Sequence, residues 1–130
     1  FKSKADDDPE RRLAEAQAAR GIVDAAVEKH PDALVLMGGD LNDVPGSPPL
    51  LALEETGGLE RVAADLGEDD WTYVWGGDLR ALDHLYLAKF AAGGTYVPGT
   101  SRVFRGVSQV GWGDSDHAAL RATFRVGAGK

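Results

Sequence analysis

With 130 residues, 43% of them hydrophobic, the chain is long enough for one modest domain. Its 14 basic and 21 acidic residues leave a net charge of -7, so it lacks the general pull on nucleic acid that comes from neutralising phosphates. No cysteine is present, which excludes a disulfide framework and a zinc site built from thiolates, and no apolar run is long enough to span a membrane.

The chain opens on Phe1, as expected of a processed piece or part of a longer protein. Phe1 to Lys4 reads as the tail of a strand, followed by an acidic loop, Asp6-Asp7-Asp8. Asp8-Pro9-Glu10 predicts a helix start: an N-cap acid, a proline in the first turn, and a carboxylate at the positive end of the helix dipole. Leu13, Ala16, Ala19, Val23 and Val27 recur at helical spacing, with Arg12, Glu15, Gln17, Asp24 and Glu28 on the other faces, and His30-Pro31 ends the helix. Ala33 to Met37 is a continuous apolar run closed by Gly38-Gly39, the pattern of a buried strand. Helix and strand in such close succession predict an α/β layer.

Asp40 and Asn42 follow at once, two residues apart. In an extended segment both side chains project the same way from the end of a rigid strand, a good place to hold reacting groups. The same residues also suit the start of a turn, which Asp43-Val44-Pro45-Gly46 makes. Ser47-Pro48-Pro49 predicts the cap of a short helix through Leu50, Leu51 and Leu53, closed by Gly57-Gly58, and Leu59 to Leu66 adds a helical turn. Trp71-Thr72-Tyr73-Val74-Trp75 alternates with three aromatics on one face, and Gly76-Gly77 turns the chain. Arg80 to Leu87 is the next strand, Thr95 to Pro98 and Arg102 to Phe104 are weaker strands, and Gly106 to Gly113 is a loop. Leu120, Ala122, Phe124 and Val126 alternate with Arg121, Thr123 and Arg125 as a half-buried closing strand.

Charge is distributed unevenly. Residues 54–70 carry seven acids against Arg61, whereas residues 100–130 carry Arg102, Arg105, Arg121, Arg125 and Lys130 against Asp114 and Asp116. The basic third suits either a local phosphate contact or a solvated strand face.

Two further groups carry chemistry. In Leu82-Asp83-His84-Leu85-Tyr86-Leu87, period two sends Asp83, Leu85 and Leu87 to one face and His84 and Tyr86 to the other. A carboxylate among apolar residues needs a partner, and Arg80 is one candidate. Gly113-Asp114-Ser115-Asp116-His117 closes the loop before the last strand. His117 can exchange a proton near neutral pH, and Asp83 can set its tautomer, although a solvated histidine at a strand end reads equally well. His30, at a helix C-terminus, and His84, beside Tyr86, are weaker candidates.

Gly39-Asp40-Leu41-Asn42, then Leu82-Asp83-His84, then Ser115-Asp116-His117, in that order, resemble the endonuclease/exonuclease/phosphatase family with its deoxyribonuclease-I-like fold. The resemblance covers residues 1–126, leaving 127–130 as a tail, and Trp71-Thr72-Tyr73 ahead of Asp83 agrees with it. It implies an α/β fold, the C-terminal half of a four-layered sandwich in which a mixed sheet is flanked by helices. It further implies that Asp40 and Asn42 orient the attacking water and contact the phosphate. Asp116, with Asp40, would bind or support a divalent metal, normally Mg²⁺ or else Mn²⁺. His117, held by Asp83, would act on the phosphoryl group as base or cationic stabiliser. Family members have an earlier half that supplies an Asn and the principal metal-binding Glu, and those motifs are not in this sequence.

The expected function is therefore metal-dependent phosphoester hydrolysis, with this chain supplying the second half of the site. The expected partner is an N-terminal half, covalent or separate, or failing that a second copy. The substrate is a phosphoester, nucleic acid included, with the acidic balance favouring a small or exposed one. The alternative is a processed, non-catalytic fragment used in assembly or binding.

Overall fold

The computed structural model describes residues 1–3, 8–106 and 111–127. Asp6 and Asp7 of the acidic loop, the centre of the Gly106–Gly113 loop and the tail beyond Gly127 lie outside the described residues.

Helix α1 runs Pro9–Lys29. The Asp8 carboxylate accepts from the Arg11 N–H at 3.0 Å, satisfying one of the first-turn donors, and the His30 N–H closes the far end on the Ala26 carbonyl at 2.9 Å. Strand β1 is Leu36–Asp40 and helix α2 is Pro48–Glu54, continued by a 3₁₀ turn at Glu55–Gly57. Arg20 of α1 ties the two helices together by donating to the Leu53 and Glu55 carbonyls at 2.9 and 2.6 Å. Strands β2 (Leu59–Arg61), β3 (Tyr73–Trp75), β4 (Asp78–Arg80) and β5 (Asp83–Ala88) follow, with a 3₁₀ stretch at Val62–Asp70. Strands β6 (Gly94–Tyr96), β7 (Arg102–Phe104), β8 (Ala119–Arg121) and β9 (Phe124–Val126) complete the described chain.

The central sheet has the order β1-β5-β2. Strand β5 is antiparallel to both neighbours, with Leu36 opposite Leu87 and Asp40 opposite Asp83 on one side, and Leu59 opposite Ala88 on the other. Thus β1 and β2 run the same way, joined across α2, and β5 inserts between them. The remaining pairs, β3-β4, β6-β9 and β7-β8, are also antiparallel. The fold is α/β, but the parallel neighbours of the expected mixed sheet do not occur among the described strands.

Tyr86 on β5 is the centre of the core. It packs with Leu50 and Leu53 of α2, Ala16 and Val23 of α1, and Leu41, Leu59 and Ala88, all buried. Its hydroxyl donates to Glu54 Oε1 at 2.9 Å, so the buried ring keeps its polar end satisfied. Both helices lie on the Tyr86 face, and this corrects the expectation of a buried Ala33–Met37 strand. Met37 turns into the core, while Leu36, on the opposite face, is 39% exposed.

Four further expectations change. The helical turn expected over Leu59–Leu66 is β2 followed by a 3₁₀ stretch, because pairing with β5 overrides local propensity. The strand expected over Arg80–Leu87 breaks at Ala81-Leu82, where the backbone leaves β4 and enters β5. The closing strand divides into β8 and β9, which pair with different partners. Arg12, expected on an outer face of α1, is only 3% exposed.

Candidate active site

The site is assembled around one buried threonine. Thr72, just before β3, accepts at Oγ1 from the N–H groups of Leu82 and Asp83 at 3.2 and 3.1 Å. Its own N–H donates to the Arg80 carbonyl at 2.9 Å, and its carbonyl accepts from Ala118 N–H at 2.8 Å. One residue therefore holds the start of β5, which carries Asp83, against the segment that carries His117.

The two side chains meet there. His117 Nδ1 lies 2.6 Å from Asp83 Oδ2, a charge-assisted hydrogen bond that turns Nε2 away from Asp83. Nε2 stands 3.7 Å from Asp40 Oδ2 and 4.0 Å from Asp116 Oδ1. Tyr73 stacks on the imidazole, with centroids 4.7 Å apart and planes 29° apart, and so fixes the plane of the ring. Burial pulls the His117 pKa down, but the Asp83 hydrogen bond and the charges of Asp83, Asp40 and Asp116 outweigh it, and the pKa lies above its ordinary value.

Asp40 ends β1 opposite Asp83. Gly39 immediately before it has φ of +148°, a conformation that L side chains rarely adopt. The Asn42 N–H donates back to Asp40 Oδ1 at 2.9 Å, leaving Oδ2 toward His117. Asn42 itself has φ of +51°, so Asp40 and Asn42 are brought together by an Asx-type turn rather than by an extended strand end. The Asn42 amide donates to the Phe1 carbonyl at 2.9 Å, and the Phe1 ammonium donates to the Asp40 carbonyl at 3.1 Å. The turn expected at this stretch is therefore present, and it sets the Asp40 carboxylate beside His117. Asp40, Asn42 and His117 line a cleft of about 360 Å³ together with Ser3, Tyr73, Trp75, Arg80 and Leu82.

Behind the turn lies a buried polar chain that sequence reasoning missed. His84 is 2% exposed on the core face of β5. Its Nε2 lies 2.8 Å from the Asp43 carbonyl, which can only accept, so Nε2 carries the proton. Nδ1 accepts from Arg61 Nε at 3.0 Å, and Arg61 also pairs with Asp70. Arg12 Nε reaches the Asp43 carboxylate at 3.2 Å, with both side chains almost wholly buried. Burial lowers the His84 pKa, with Arg61 adding to the effect, against the opposing pull of the Asp43 hydrogen bond, Asp83 and Asp70. His84 is thus a neutral ring bonded at both nitrogens that holds the segment following Asn42.

The basic third serves the scaffold in part. Arg102 donates to the Gly99 and Ser101 carbonyls, and Arg105 donates to the Asp69 and Trp71 carbonyls while its guanidinium covers the Trp71 ring at 3.5 Å. Of the two partners open to Asp83, Arg80 and His117, it is His117 that it meets, as expected of a carboxylate that sets the imidazole tautomer.

The profile of the endonuclease/exonuclease/phosphatase family matches residues 4–117. The chain belongs to that family. Neither the curated proteins nor the solved structures compared contain a match. Members of the endonuclease/exonuclease/phosphatase family are generally metal-dependent phosphoester hydrolases. The donor chemistry here suits a divalent cation: Asp40, Asp83 and His117 each offer one ligand atom, all within 4.8 Å of one another. Since Asp83 is committed to His117 Nδ1, Asp40 is the carboxylate with an oxygen left toward the cleft. Asp116, 80% exposed at its side chain, stands outside this cluster but on its open side. A hard cation that keeps several waters and takes one or two protein carboxylates fits such a set.

Proposed function

We propose that this chain carries the acid–histidine half of a site for metal-dependent phosphodiester hydrolysis, and the 2.6 Å Asp83–His117 bond is the observation that carries the reading. A carboxylate on Nδ1 fixes the tautomer and aims Nε2 at a reacting group, the arrangement required of a positioned proton donor or acceptor. Three carboxylates near one imidazole favour the protonated ring, so His117 donates from Nε2 to a phosphoryl oxygen as charge builds there. Asp40 Oδ2, on the same side of the cleft, accepts the proton of the attacking water. Asn42 offers a neutral N–H donor to the phosphate once its amide leaves the Phe1 carbonyl. Asp40, supported by Asp116, would hold a divalent cation such as Mg²⁺ or Mn²⁺, which when bound supplies Lewis-acid stabilisation of phosphoryl oxygens.

The partner in this reading is an N-terminal half of the same kind of domain, covalent or separate, contributing further metal ligands. The alternative, a non-catalytic assembly module, is favoured by the open face of the central sheet but leaves the Asp83–His117 pair without a use.

The test is hydrolysis of bis(p-nitrophenyl) phosphate with Mg²⁺ or Mn²⁺ by the longest chain that contains these residues. His117→Ala should lower turnover by about two to four orders of magnitude, the usual worth of a positioned acid or base. Asp83→Asn should lower it as well, by leaving the ring misoriented. Near-normal turnover in a His117→Ala variant with unchanged circular dichroism would remove the histidine from the mechanism.

A further inference from the structure

The cleft extends beyond the acid–histidine cluster, and its outer wall is a single hairpin. Strands β3 and β4 are joined by Gly76-Gly77, with φ of +55° and +90°, the backbone of a two-residue turn whose twist matches the flanking strands. Tyr73 pairs with Arg80 and Trp75 with Asp78, so period two places these four on one face and Val74 and Leu79 on the other. Along the first face, Tyr73 lies against His117, Arg80 sits across from Tyr73, and Trp75 is one step further out. Trp75 is 61% exposed, and Arg80 lies 3.7 Å from the Asp78 carboxylate, itself open to solvent. An aromatic face and a guanidinium thus line the same cleft as the reacting groups, at increasing distance from them.

Resting on the hydrolase reading above, we infer that the β3–β4 hairpin is a nucleotide subsite: Trp75 stacks on the base, and Arg80 pairs with a phosphate oxygen of the ester held at Asp40 and His117. Base–aromatic stacking tolerates any base, because each presents a π face, and a guanidinium suits phosphate through its fixed fork of donors.

Other phosphoesters fit less well. A polyphosphorylated ring has no planar face and needs several cations, yet Arg80 is the only Lys or Arg among the described residues lining the cleft, which also holds Asp40. A lipid surface would require a continuous apolar tip, but Trp75 and Leu79 project from opposite faces of the hairpin. A long polynucleotide needs phosphate neutralisation at many positions, whereas Arg80 alone supplies it among the described residues of this cleft. The chemistry selects a small nucleotide ester.

The experiment is equilibrium binding without turnover. Thymidine 5′-monophosphate and ribose 5-phosphate are titrated into the chain while the indole N–H signals of Trp71, Trp75 and Trp112 are followed by NMR. The nucleotide should move the Trp75 signal and bind about ten-fold or more tightly than the sugar phosphate, as stacking of one base implies. Trp75→Ala should abolish that preference, whereas Arg80→Gln should weaken both ligands alike. Equal affinities in the wild type, a preference that survives Trp75→Ala, or no binding of either probe overturns the subsite. Nucleotide binding without hydrolysis of any diester would keep the subsite and sink the hydrolase. Hydrolysis of a ringless diester with no nucleotide preference would do the reverse.

Discussion

Two histidines on β5 and beside it face opposite ways, and the physics of each follows from its neighbours. His84 is buried and neutral, so its pKa in the folded chain lies below the ordinary 6.5. As pH falls through 6.5 toward that lower value, the unfolded chain takes up the proton first, and the stability contributed by His84 at higher pH is lost. His117 behaves oppositely. Its folded pKa is raised, so its contribution is fully present below 6.5 and is lost as pH rises through the folded value. We expect ring-proton NMR titration of the metal-free chain to give a midpoint below that of an unfolded-peptide histidine for one ring and above it for another. His84→Phe should delete the low midpoint and His117→Ala the high one; both rings titrating together would contradict the geometry. The sequence shows the Asp83–His117 pair because a carboxylate in an apolar strand demands a partner and a histidine follows a flexible loop. It does not show the His84 network, because Asp43, Arg61 and Asp70 are distant in sequence and each looks like an ordinary loop or surface charge.

At the scale of elements, both helices and some short strands were legible, Arg102–Phe104 to the residue, whereas β2 was not. Asp8-Pro9 and His30-Pro31 carry local signals for both ends of α1, whose bounds match them. Strand β2 has only three residues, and nothing within Leu59-Glu60-Arg61 distinguishes a strand from a helical turn; its identity comes from the ladder to β5. The placement of the site depends on Thr72, which is fully buried and which composition gives no reason to single out. Thr72→Val keeps the shape of the side chain but removes the acceptor for the Leu82 and Asp83 N–H groups. Leaving such buried donors without a partner costs about 1–3 kcal/mol. We expect a loss of that size in urea unfolding, together with a weakened Asp83–His117 bond, visible as a lower His117 titration midpoint. A variant as stable as the wild type would show that water or another group takes over the two donors.

For the whole molecule, the central sheet has two faces and both helices lie on one of them. Met37, Tyr86 and His84 turn toward α1 and α2, while Leu36, Leu85, Asp40 and Asp83 turn the other way. Strand β8 covers part of that second face, leaving an open groove of about 230 Å³ lined by Gly38, Leu85, Ala118 and Leu120 with Asp83 at its end. Leu36 lies beside it and is 39% exposed. A sheet face of this kind is normally closed by a second layer, and open apolar patches in solution recruit one. The Asp40 and Asp83 carboxylates occupy the same face as Leu36 and Leu85, so whatever covers the leucines also walls the cleft and limits water there. We therefore expect the isolated 130-residue chain to associate with a second copy as concentration rises, measured by light scattering, and to hydrolyse diesters poorly. Leu36→Lys should shift it toward monomer with unchanged helical signal, since the side chain already reaches solvent. Adding a protein that carries the family's N-terminal half should displace the second copy and raise activity. A monomer at all concentrations, unaffected by Leu36→Lys and fully active with metal, would mean that this face needs no cover and that the chain works as it stands.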